Sequence, residues 1–473
     1  MIRRPLMQKE IDSLVAAGNS CKNWNDIRVE QNFTPKNIFN TKFSGKITLH
    51  GFSGKKISYC GTEFETGLYN SWINESVIED ACIYDAKLIS NSVVCDGAFV
   101  FNVGTIFCDK DMSHIRIGTE TGARILKRQF SENERTVVGR GVVIGNVLSL
   151  GNVHIGENAR VENGAFVQDS IVENNTVITE NAVVKSSFIS SFSYVGEAEI
   201  TSSFVGPLTQ IHHHSLLISA LWALGRGNIG YGANVGSNHT GRMPDQEIIP
   251  GLGQFFGLGC NVKFPANFSD APFTIIATGV TCEPQILRFP FALIKSPSLI
   301  TDSSNGAELA GLNEIIPGWV YAKNAYGIFR NVYKWNMRCG HNDGLDILFS
   351  AEVGRSVIAA CEILEKFSSA ETFSQTATEK ITGKLLTEKS LANLGSNFLR
   401  AENIELAVEA YQLFGEDFEY YIKTKKLNKE IYKRVEYCLE RDYARGKKIF
   451  DDYEEFHPLD EGFWNWLKEC CEL

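Results

Sequence analysis

Apolar residues spaced six positions apart constrain this chain of 473 residues more than any other feature. The runs are Val77, Ile83, Ile89, Cys95, Phe101 and Phe107; Val137, Val143, Ile155, Val161 and Val167, with a gap at Ser149; Ile171, Val177, Val183, Ile189 and Val195; and Val262, Phe268, Thr274, Val280 and Ile286. This step matches neither the ~3.6-residue period of a helix nor the ~2-residue period of a strand. The spacing therefore indicates a repeat architecture.

Gly, Asn, Asp and Ser separate the apolar positions, which is typical of short strands joined by tight turns. A coil whose three flat faces each use one hexapeptide explains the step, so we predict an all-β left-handed parallel β-helix. An antiparallel β-sandwich is the alternative. It is disfavoured because sandwich strands would alternate with period 2 and vary in spacing.

Three fragments resemble the repeat of the hexapeptide-repeat transferase superfamily, which opens with an aliphatic residue often followed by Gly. They are Ile144-Gly145, Ile155-Gly156-Glu157-Asn158-Ala159 and Val195-Gly196-Glu197-Ala198. The resemblance implies transfer of an acyl group, with acyl-CoA or acyl carrier protein as co-substrate and no tightly bound cofactor. It also implies a homotrimer with active sites between subunits.

The pattern divides the chain into four regions. Residues 1–42 lack the six-residue step and are expected to form an N-terminal cap or arm, and residues 43–295 are expected to form the β-helix. Residues 296–344 are predicted to be a linker or crossing segment. Residues 345–473 are predicted to be an α-helical domain, because apolar residues there recur at helical spacing. They are Val353, Val357, Cys361 and Leu364, then Ile404, Val408 and Tyr411, then Ile431, Val435 and Cys438.

The repeats stop between residues 207 and 259, and we predict an excursion there that carries the binding loop. Gly225–Gly259 holds 10 glycines in 35 residues, against 41 in the whole chain, so the backbone can approach a ligand closely. From this region to Phe289-Pro290-Phe291-Ala292-Leu293-Ile294 the sequence also resembles an uncharacterised bacterial family of unknown function. That resemblance covers roughly residues 1–340, closely from Pro207 to Ile294 and loosely in the N-terminal third.

His212-His213-His214 begins the region and has three interpretations. On an extended segment His212 and His214 point the same way, so they could share a metal with His239 or Asp245. We predict no metal, because the HxxxxH spacing of hexapeptide carbonic anhydrases is absent. His212 or His214 could instead act as a general base, as in the sugar acyltransferases of the superfamily. The structural alternative is that the triplet fills hydrogen-bonding positions where the chain leaves the coil.

A second motif, Asn238-His239-Thr240-Gly241-Arg242, combines an imidazole with a guanidinium beside a glycine. We predict that His239 is catalytic and that Arg242 makes a forked hydrogen-bond contact with an anionic group. The predicted substrate-binding residues are Asn234, Asn238, Thr240, Arg242, Asp245 and Gln246, and the predicted cofactor-binding residues are Lys263 and Arg288. A surface turn with self-satisfied side chains is the alternative for the motif, and solvated surface is the alternative for the two cations.

Composition limits the partners. Lys and Arg number 46 against 56 Asp and Glu, and the net charge of −10 disfavours nucleic acid and anionic membranes. Because no run of about 18 apolar residues exists and Met1–Glu10 is polar and basic, we expect no membrane span and a cytoplasmic location. The 12 cysteines show no CxxC pairing and are expected to be reduced thiols.

The leading hypothesis is a transferase that moves an acyl group from a thioester to a sugar or nucleotide-sugar, with a histidine base. Pyrophosphorylase chemistry is disfavoured because residues 1–70 lack a GxGxR-type opening, and there is neither a P-loop nor a GxSxG elbow. The alternatives are a non-catalytic β-helix scaffold and a sugar-nucleotide-binding sensor.

Overall fold

The computed structural model describes residues 3–109, 135–236, 247–296, 313–368, 397–399, 401–449 and 461–472. They belong to two compact units, Met1–Ala223 and Leu224–Leu473. Parallel strands stacked as the coils of a β-solenoid form most of the first unit and the start of the second, with about 14 turns among the described residues. Helices complete the second unit. The predictions of parallel coils and C-terminal helices are confirmed, and the handedness of the coils stays a prediction.

The first unit consists of short strands, one helix and one 3-10 turn. The helix is Gln8–Ala16 and the turn is Trp24–Asp26. The strands are Arg3–Pro5, Ser20–Cys21, Ile27–Glu30, Ile38–Phe39, Lys42–Ser44, Ile47–Leu49, Lys56–Tyr59, Thr62–Glu65, Gly67–Tyr69, Trp72–Asn74, Val77–Ile78, Cys82–Ser90, Ser92–Val94, Phe99–Phe107, Thr136–Val138, Val143–Ile155, Arg160–Glu162, Phe166–Val172, Val177–Thr179, Val183–Lys185, Phe188–Ile189, Tyr194–Gly196, Glu199–Thr201, Phe204–Val205, Gln210–His212, Leu216–Ile218 and Leu221–Trp222.

One coil of this unit is 16 or 17 residues long. From Val143 to Trp222 every described parallel pair joins residues separated by that number, in three stacks that are represented by Arg160↔Val177, Phe166↔Val183 and Ile171↔Phe188. A strict step of six would require a longer coil. The inward residues therefore advance by six, six and five in a 17-residue coil, and by six, five and five in a 16-residue coil such as Ile189, Val195, Ile200 and Val205.

The shorter coil changes which residues fill the core. Val161, Val167, Val172, Ile178, Val184, Ile189 and Val195 all lie inside with 0% exposure. A strict step of six predicts Val177 and Val183 for this column. Both are instead half-buried, and the next residues, Ile178 and Val184, point inward. Similarly, Ile83 and Ile89 are core residues, whereas Val77, Cys95, Phe101 and Phe107 are half-buried. The cause is that one unit in a 17-residue coil, and two units in a 16-residue coil, are a residue shorter than a hexapeptide.

Hydroxyl groups reinforce the stacking inside the turns. The Ser170 Oγ accepts a hydrogen bond from the Ser187 N–H at 3.1 Å, and the Ser187 Oγ accepts one from the Ser203 N–H at 3.1 Å. Each hydroxyl also donates to a carbonyl two residues earlier in its own turn. These buried polar groups are thus paired in a ladder that joins successive coils.

Stacking begins earlier than the predicted boundary at residue 43. Ser20–Cys21 pairs with the Lys42–Ser44 strand, and Ile27–Glu30 pairs in parallel with Ile47–Leu49. Arg3–Pro5 and the helix Gln8–Ala16 precede these strands. The expected cap at 1–42 therefore differs from the structure, because its short strands bury alternate residues and show no six-residue step.

The predicted excursion at 207–259 also differs from the structure. Gln210–His212, Leu216–Ile218 and Leu221–Trp222 continue the coils in the first unit, and each pairs with the coil before it. Their inward residues Ile211 and Leu217 have 0% exposure. Coil strands also occur on both sides of residues 237–246, which lie outside the described residues.

The second unit starts with coil strands and ends with helices. Its strands are Asn228–Ile229, Asn234–Val235, Ile248–Ile249, Phe255–Phe256, Asn261–Val262, Ala266–Asn267, Ile275–Ile276, Thr281–Cys282, Gln285–Ile286, Leu293–Lys295, Asn313–Ile316 and Asn397–Phe398. Its helices are Trp319–Lys323, Ala325–Cys339, Gly344–Leu348, Ala351–Ser368, Ala401–Thr424, Lys429–Ile449 and Glu461–Cys471.

The helices begin inside the region predicted as a linker, at Trp319 rather than at about residue 345. Most of the predicted apolar positions face inward: Val353, Ile431 and Val435 have 0% exposure. Val408 is different and is 40% exposed, because the small residues Ala407 and Ala410 pack inward instead. No helix among the described residues is long and apolar enough to cross a membrane.

The phase of the coil can be tested with two adjacent substitutions. Ile178 has 0% exposure, so Ile178→Asp would bury a carboxylate without a partner at a cost of roughly 4 kcal/mol or more and should prevent folding. Ile155→Asp and Ile189→Asp should do the same. The control Val177→Asp alters a half-buried outward position and should fold. Circular dichroism and thermal unfolding would measure both, and a folded Ile178→Asp protein would contradict the assigned core.

Candidate functional site

The candidate site of the first unit lies on the outer side of one stack of strands. This stack contains Arg160–Glu162, Val177–Thr179, Tyr194–Gly196 and Gln210–His212. The last residue of each strand segment in this stack faces outward, and together these residues form what we call the outward row. Its members in successive coils are Gly145, Glu162, Thr179, Gly196 and His212. The next residue in each coil makes the turn. These residues form the corner row, which comprises Asn146, Asn163, Glu180, Glu197 and His213.

The corner row has the same backbone conformation throughout but a changing chemistry. All five residues have φ between 52° and 59°. Asn and, among the other residues here, His are enriched in this left-handed region, whereas Glu adopts it at a cost of roughly 1–2 kcal/mol. The Asn102 side chain, one coil before Asn146, donates to the Asn146 Oδ1 at 2.9 Å. At Glu180, Glu197 and His213 the row instead carries ionisable groups.

Tyr194 and Glu180 make the first polar contact of this corner. The Tyr194 hydroxyl donates to the Glu180 Oε2 at 3.1 Å. Gly196 leaves room for the pair, because a Cβ there would lie 2.8 Å from the Tyr194 ring and 2.9 Å from the Glu180 carboxylate. Burial, followed by the hydrogen bond to Glu180 and its charge, raises the pKa of Tyr194. The phenol is therefore protonated at neutral pH.

Glu197 and His213 make the second contact, one coil further on. The His213 Nδ1 lies 3.4 Å from the Glu197 Oε2, and the two side chains are 58% and 38% exposed. The His212 ring stands perpendicular to the His213 ring, with centroids 4.4 Å apart. The carboxylate can orient the imidazole, while exposure leaves the ring accessible to a ligand.

A cavity of about 380 Å³ lies beside this corner. Three successive coils line it, with Glu180, Asn181 and Val183 from the first, Glu197, Ala198 and Glu199 from the second, and His214, Ser215 and Leu216 from the third. The His214 N–H donates to the Glu197 carbonyl at 2.7 Å, which fixes the third coil against the second. Three carboxylates and one imidazole make the lining acidic, which favours cationic or hydrogen-bond-donating ligands.

His212 and His214 are thus the predicted catalytic residues that the structure places at this corner, and His213 between them contacts the carboxylate. Their catalytic role stays a prediction. Among the described residues no three His, Cys, Asp or Glu side chains are arranged to hold a metal ion. The other predicted catalytic residue, His239, lies outside the described residues. The predicted ligands Asn238, Thr240, Arg242, Asp245 and Gln246 lie outside them as well.

Asn234, Lys263 and Arg288 belong to the second unit. The Asn234 Oδ1 is buried and has no hydrogen-bond partner among the described residues. Lys263 pairs with Glu283, and the Arg288 Nε lies 3.9 Å from the Asp270 Oδ2. Both ion pairs are partly exposed and therefore weak, so a ligand phosphate could compete for either cation. Substrate and cofactor binding at these residues stays a prediction.

Sequence reasoning missed Tyr194, Glu180, Glu197 and Glu199. The available signal was the coil length: Glu180 and Glu197 are 17 residues apart, and His213 follows after 16. A search at a step of six cannot find that alignment. Such a search interprets Gly196-Glu197 only as part of the opening of a hexapeptide repeat.

Residues 3–129 match a protein-family model described as "Domain of unknown function (DUF4954)". The resemblance to an uncharacterised family was expected to be closest at 207–294 and looser in the N-terminal third. The matched residues lie in the part where the looser resemblance was expected. An uncharacterized protein of Treponema pallidum (strain Nichols) is 32% identical over 147 residues. The alignment covers 31% of this chain and 18% of that protein, so the chain spans less than a fifth of this relative's length.

Among solved structures, one similar chain is a "putative acetyltransferase" from Desulfovibrio desulfuricans G20. The identity is 12%, the match covers 64% of this chain and 72% of that chain, and the TM-score is 0.14. A similarity of this size supports no argument about shared function.

The contact between Tyr194 and Glu180 can be measured directly. Glu180→Gln removes the negative charge that raises the pKa of Tyr194, so that pKa should fall, although burial remains. Glu199→Gln is the control, because Glu199 lines the same cavity but does not hold the phenol. Carbon-13 NMR titration of tyrosine Cζ, with the signal assigned by Tyr194→Phe, would measure the change. Equal pKa values in the wild type and Glu180→Gln would contradict the contact.

Proposed function

We propose that this chain is a transferase of the hexapeptide-repeat type that moves an acyl group from a thioester to an amine or hydroxyl of a sugar or nucleotide-sugar. The observation that supports this most directly is the Glu197–His213 pair at the rim of an acidic cavity. A carboxylate-oriented imidazole beside a ligand-sized cavity is suited to removing a proton from an acceptor. The reaction is proposed to occur in the cytoplasm.

His213 is proposed as the general base in place of its neighbours in the triplet. Its Nδ1 faces Glu197, which leaves the Nε2 free to meet an acceptor. His214 lines the cavity and is proposed to position the acceptor there. His212 stacks edge-on against His213 and is proposed to limit the rotation of the catalytic ring.

The proposed step is acyl transfer through a tetrahedral intermediate. The acceptor nitrogen or oxygen attacks the thioester carbonyl while the His213 Nε2 takes its proton, and Glu197 stabilises the imidazolium. When the intermediate collapses, the C–N or C–O bond remains and the C–S bond breaks. The thiolate leaves with the electron pair and receives the proton from His213. Atoms and charge balance without any other reactant.

The charge of the cavity favours an amine as the acceptor. Glu180, Glu197 and Glu199 line it, and they would attract a protonated amine, which releases one proton to solvent before the neutral amine attacks. The anionic part of a nucleotide-sugar would be repelled there and would need cations elsewhere. Arg242, Lys263 and Arg288 stay separate predictions for the binding of an anionic group, independent of this cavity.

The first experiment identifies the ligand. The chain would be purified under native conditions and examined by native mass spectrometry for a small molecule that remains bound. An amino-sugar or a nucleotide-sugar would support the proposal and name the acceptor. A bound molecule with neither a sugar nor a nucleophilic amine or hydroxyl would contradict it.

The second experiment tests the base. With acetyl-CoA and a panel of amino-sugars, chromatographic detection of free CoA should show turnover that falls roughly 100-fold or more in His213→Ala, because a general base is lost. His50→Ala is a matched control, since the His50 Nδ1 lies 3.2 Å from the Glu30 Oε1 in another part of the first unit.

Equal loss in both variants would mean that the effect on turnover is not specific to the corner. No turnover in any protein, together with ligand binding that depends on His213, would favour the sensor hypothesis. Neither turnover nor ligand binding would favour the scaffold.

The proposal includes the homotrimer that such transferases commonly form. Multi-angle light scattering should give a mass three times the 52.6 kDa of one chain. A single species at the mass of one chain over a wide concentration range would contradict the trimer, and the active site would then have to be complete within one chain.

A further inference from the structure

A β-hairpin lies across the outward row, in the first unit. Its strands, Lys56–Tyr59 and Thr62–Glu65, pair antiparallel with each other and form a separate two-stranded sheet. The Thr66 N–H donates to the Lys55 carbonyl at 2.9 Å, which brings the ends of the hairpin together. The hairpin therefore projects from the coils as a compact flap.

One contact of the hairpin with the coils is aromatic. The Phe64 ring centroid lies 5.1 Å from that of Phe99, 5.5 Å from that of Phe101 and 5.6 Å from that of Tyr84. These three rings belong to adjacent coils, where Phe99 and Phe101 share a strand and Tyr84 pairs beside Phe101. Phe64 therefore covers apolar surface that the coils would otherwise expose.

The second contact is made by Tyr59, whose ring centroid lies 4.9 Å from that of Phe99 and 5.8 Å from that of Phe101. Tyr59 occupies the place of a side chain at Gly145, because a Cβ there would lie 2.3 Å from the Tyr59 hydroxyl. Burial, followed by the charge of Glu162 and a hydrogen bond to it, raises the pKa of Tyr59 to about 12. The Arg160 Nε donates to the Glu162 Oε2 at 2.6 Å, so the docked phenol completes a Tyr59–Glu162–Arg160 cluster.

Apart from Tyr59 and Phe64, the strands of the hairpin bury little of their surface. Of its eight strand residues, five are exposed, three are half-buried and none is fully buried. Its internal Lys56–Glu63 ion pair is 63% and 64% exposed and contributes little. An isolated two-stranded hairpin is only marginally stable, and segments with few buried contacts open locally at low free energy.

We propose that the hairpin Lys56–Glu65 is a reversible strap that closes part of the outward row by seating Tyr59 over Gly145 and Phe64 on the aromatic rings. When closed, it shields Glu162, which is 5% exposed. When open, it uncovers Glu162 beside Arg160, whose side chain is already 53% exposed, and joins that surface to Thr179 and Gly196 further along the same row. The strap thus controls how much of the row a ligand can reach.

Hydrogen exchange of the full chain, followed by mass spectrometry, tests the strap. Gly145→Ala should push Tyr59 out of its seat and make amides within 56–65 exchange about tenfold faster or more, with the coil amides unchanged. Gly151→Ala is the matched control: it lies on the same strand, Val143–Ile155, but its Cβ would meet Phe107 at 2.6 Å instead of the hairpin. It should leave exchange in 56–65 unchanged.

Tyr59→Phe is a second, milder test of the strap by the same exchange measurement, because it removes only the hydroxyl that faces Glu162. Faster exchange of the hairpin alone in this variant also supports the strap. Unchanged hairpin exchange in both Gly145→Ala and Tyr59→Phe would overturn the proposal. So would acceleration that extends equally to Val143–Ile155, because the hairpin would then open only with the coils. Amide exchange is measured without substrate, so the test is independent of the chemistry proposed for His213.

Discussion

The parallel register between coils is the constraint on which the rest of the first unit depends. Because each residue from Val143 onward lies beside the residue 16 or 17 positions later, a position in one coil fixes its neighbours in the next. Backbone hydrogen bonds and the buried Ser170–Ser187–Ser203 ladder set this register. Outward side chains such as Asn102 and Asn146 also bond between coils. They can vary in chemistry while the interior stays the same.

The corner row shows how that freedom is used. Asn146, Asn163 and His213 occupy a left-handed turn in which Asn and His are enriched, and Glu180 and Glu197 occupy the same turn at a conformational cost. The stacked coils supply enough stability to tolerate this cost. In return, the regular spacing places a carboxylate beside an imidazole at the same turn of successive coils.

The sequence predicts the architecture more completely than the site. Inward residues such as Ile89, Ile155 and Ile189 carry the repeat signal because burial restricts their type, so parallel coils could be predicted from them. Which residue of each repeat points inward could not be predicted. A five-residue unit in the coil moves Val177 out of the core and Ile178 into it. Residue type singled out His212 and His214, but the partners Glu180 and Glu197 become neighbours only at the true coil length. Neither residue has a local motif.

At two glycines of the outward row, a tyrosine side chain occupies the space that a side chain at the glycine would fill. At Gly145 the missing side chain is replaced by Tyr59 from the hairpin, which faces Glu162, and at Gly196 it is replaced by the ring of Tyr194, which donates to Glu180. A tyrosine fills a glycine notch and meets a glutamate in both places. The difference is connectivity: Tyr194 belongs to the same strand as its notch, whereas Tyr59 arrives on a hairpin with no fully buried strand residue. The first arrangement is therefore built into a coil and holds Glu180, which lines the cavity, whereas the second is the one that we propose can separate from its notch.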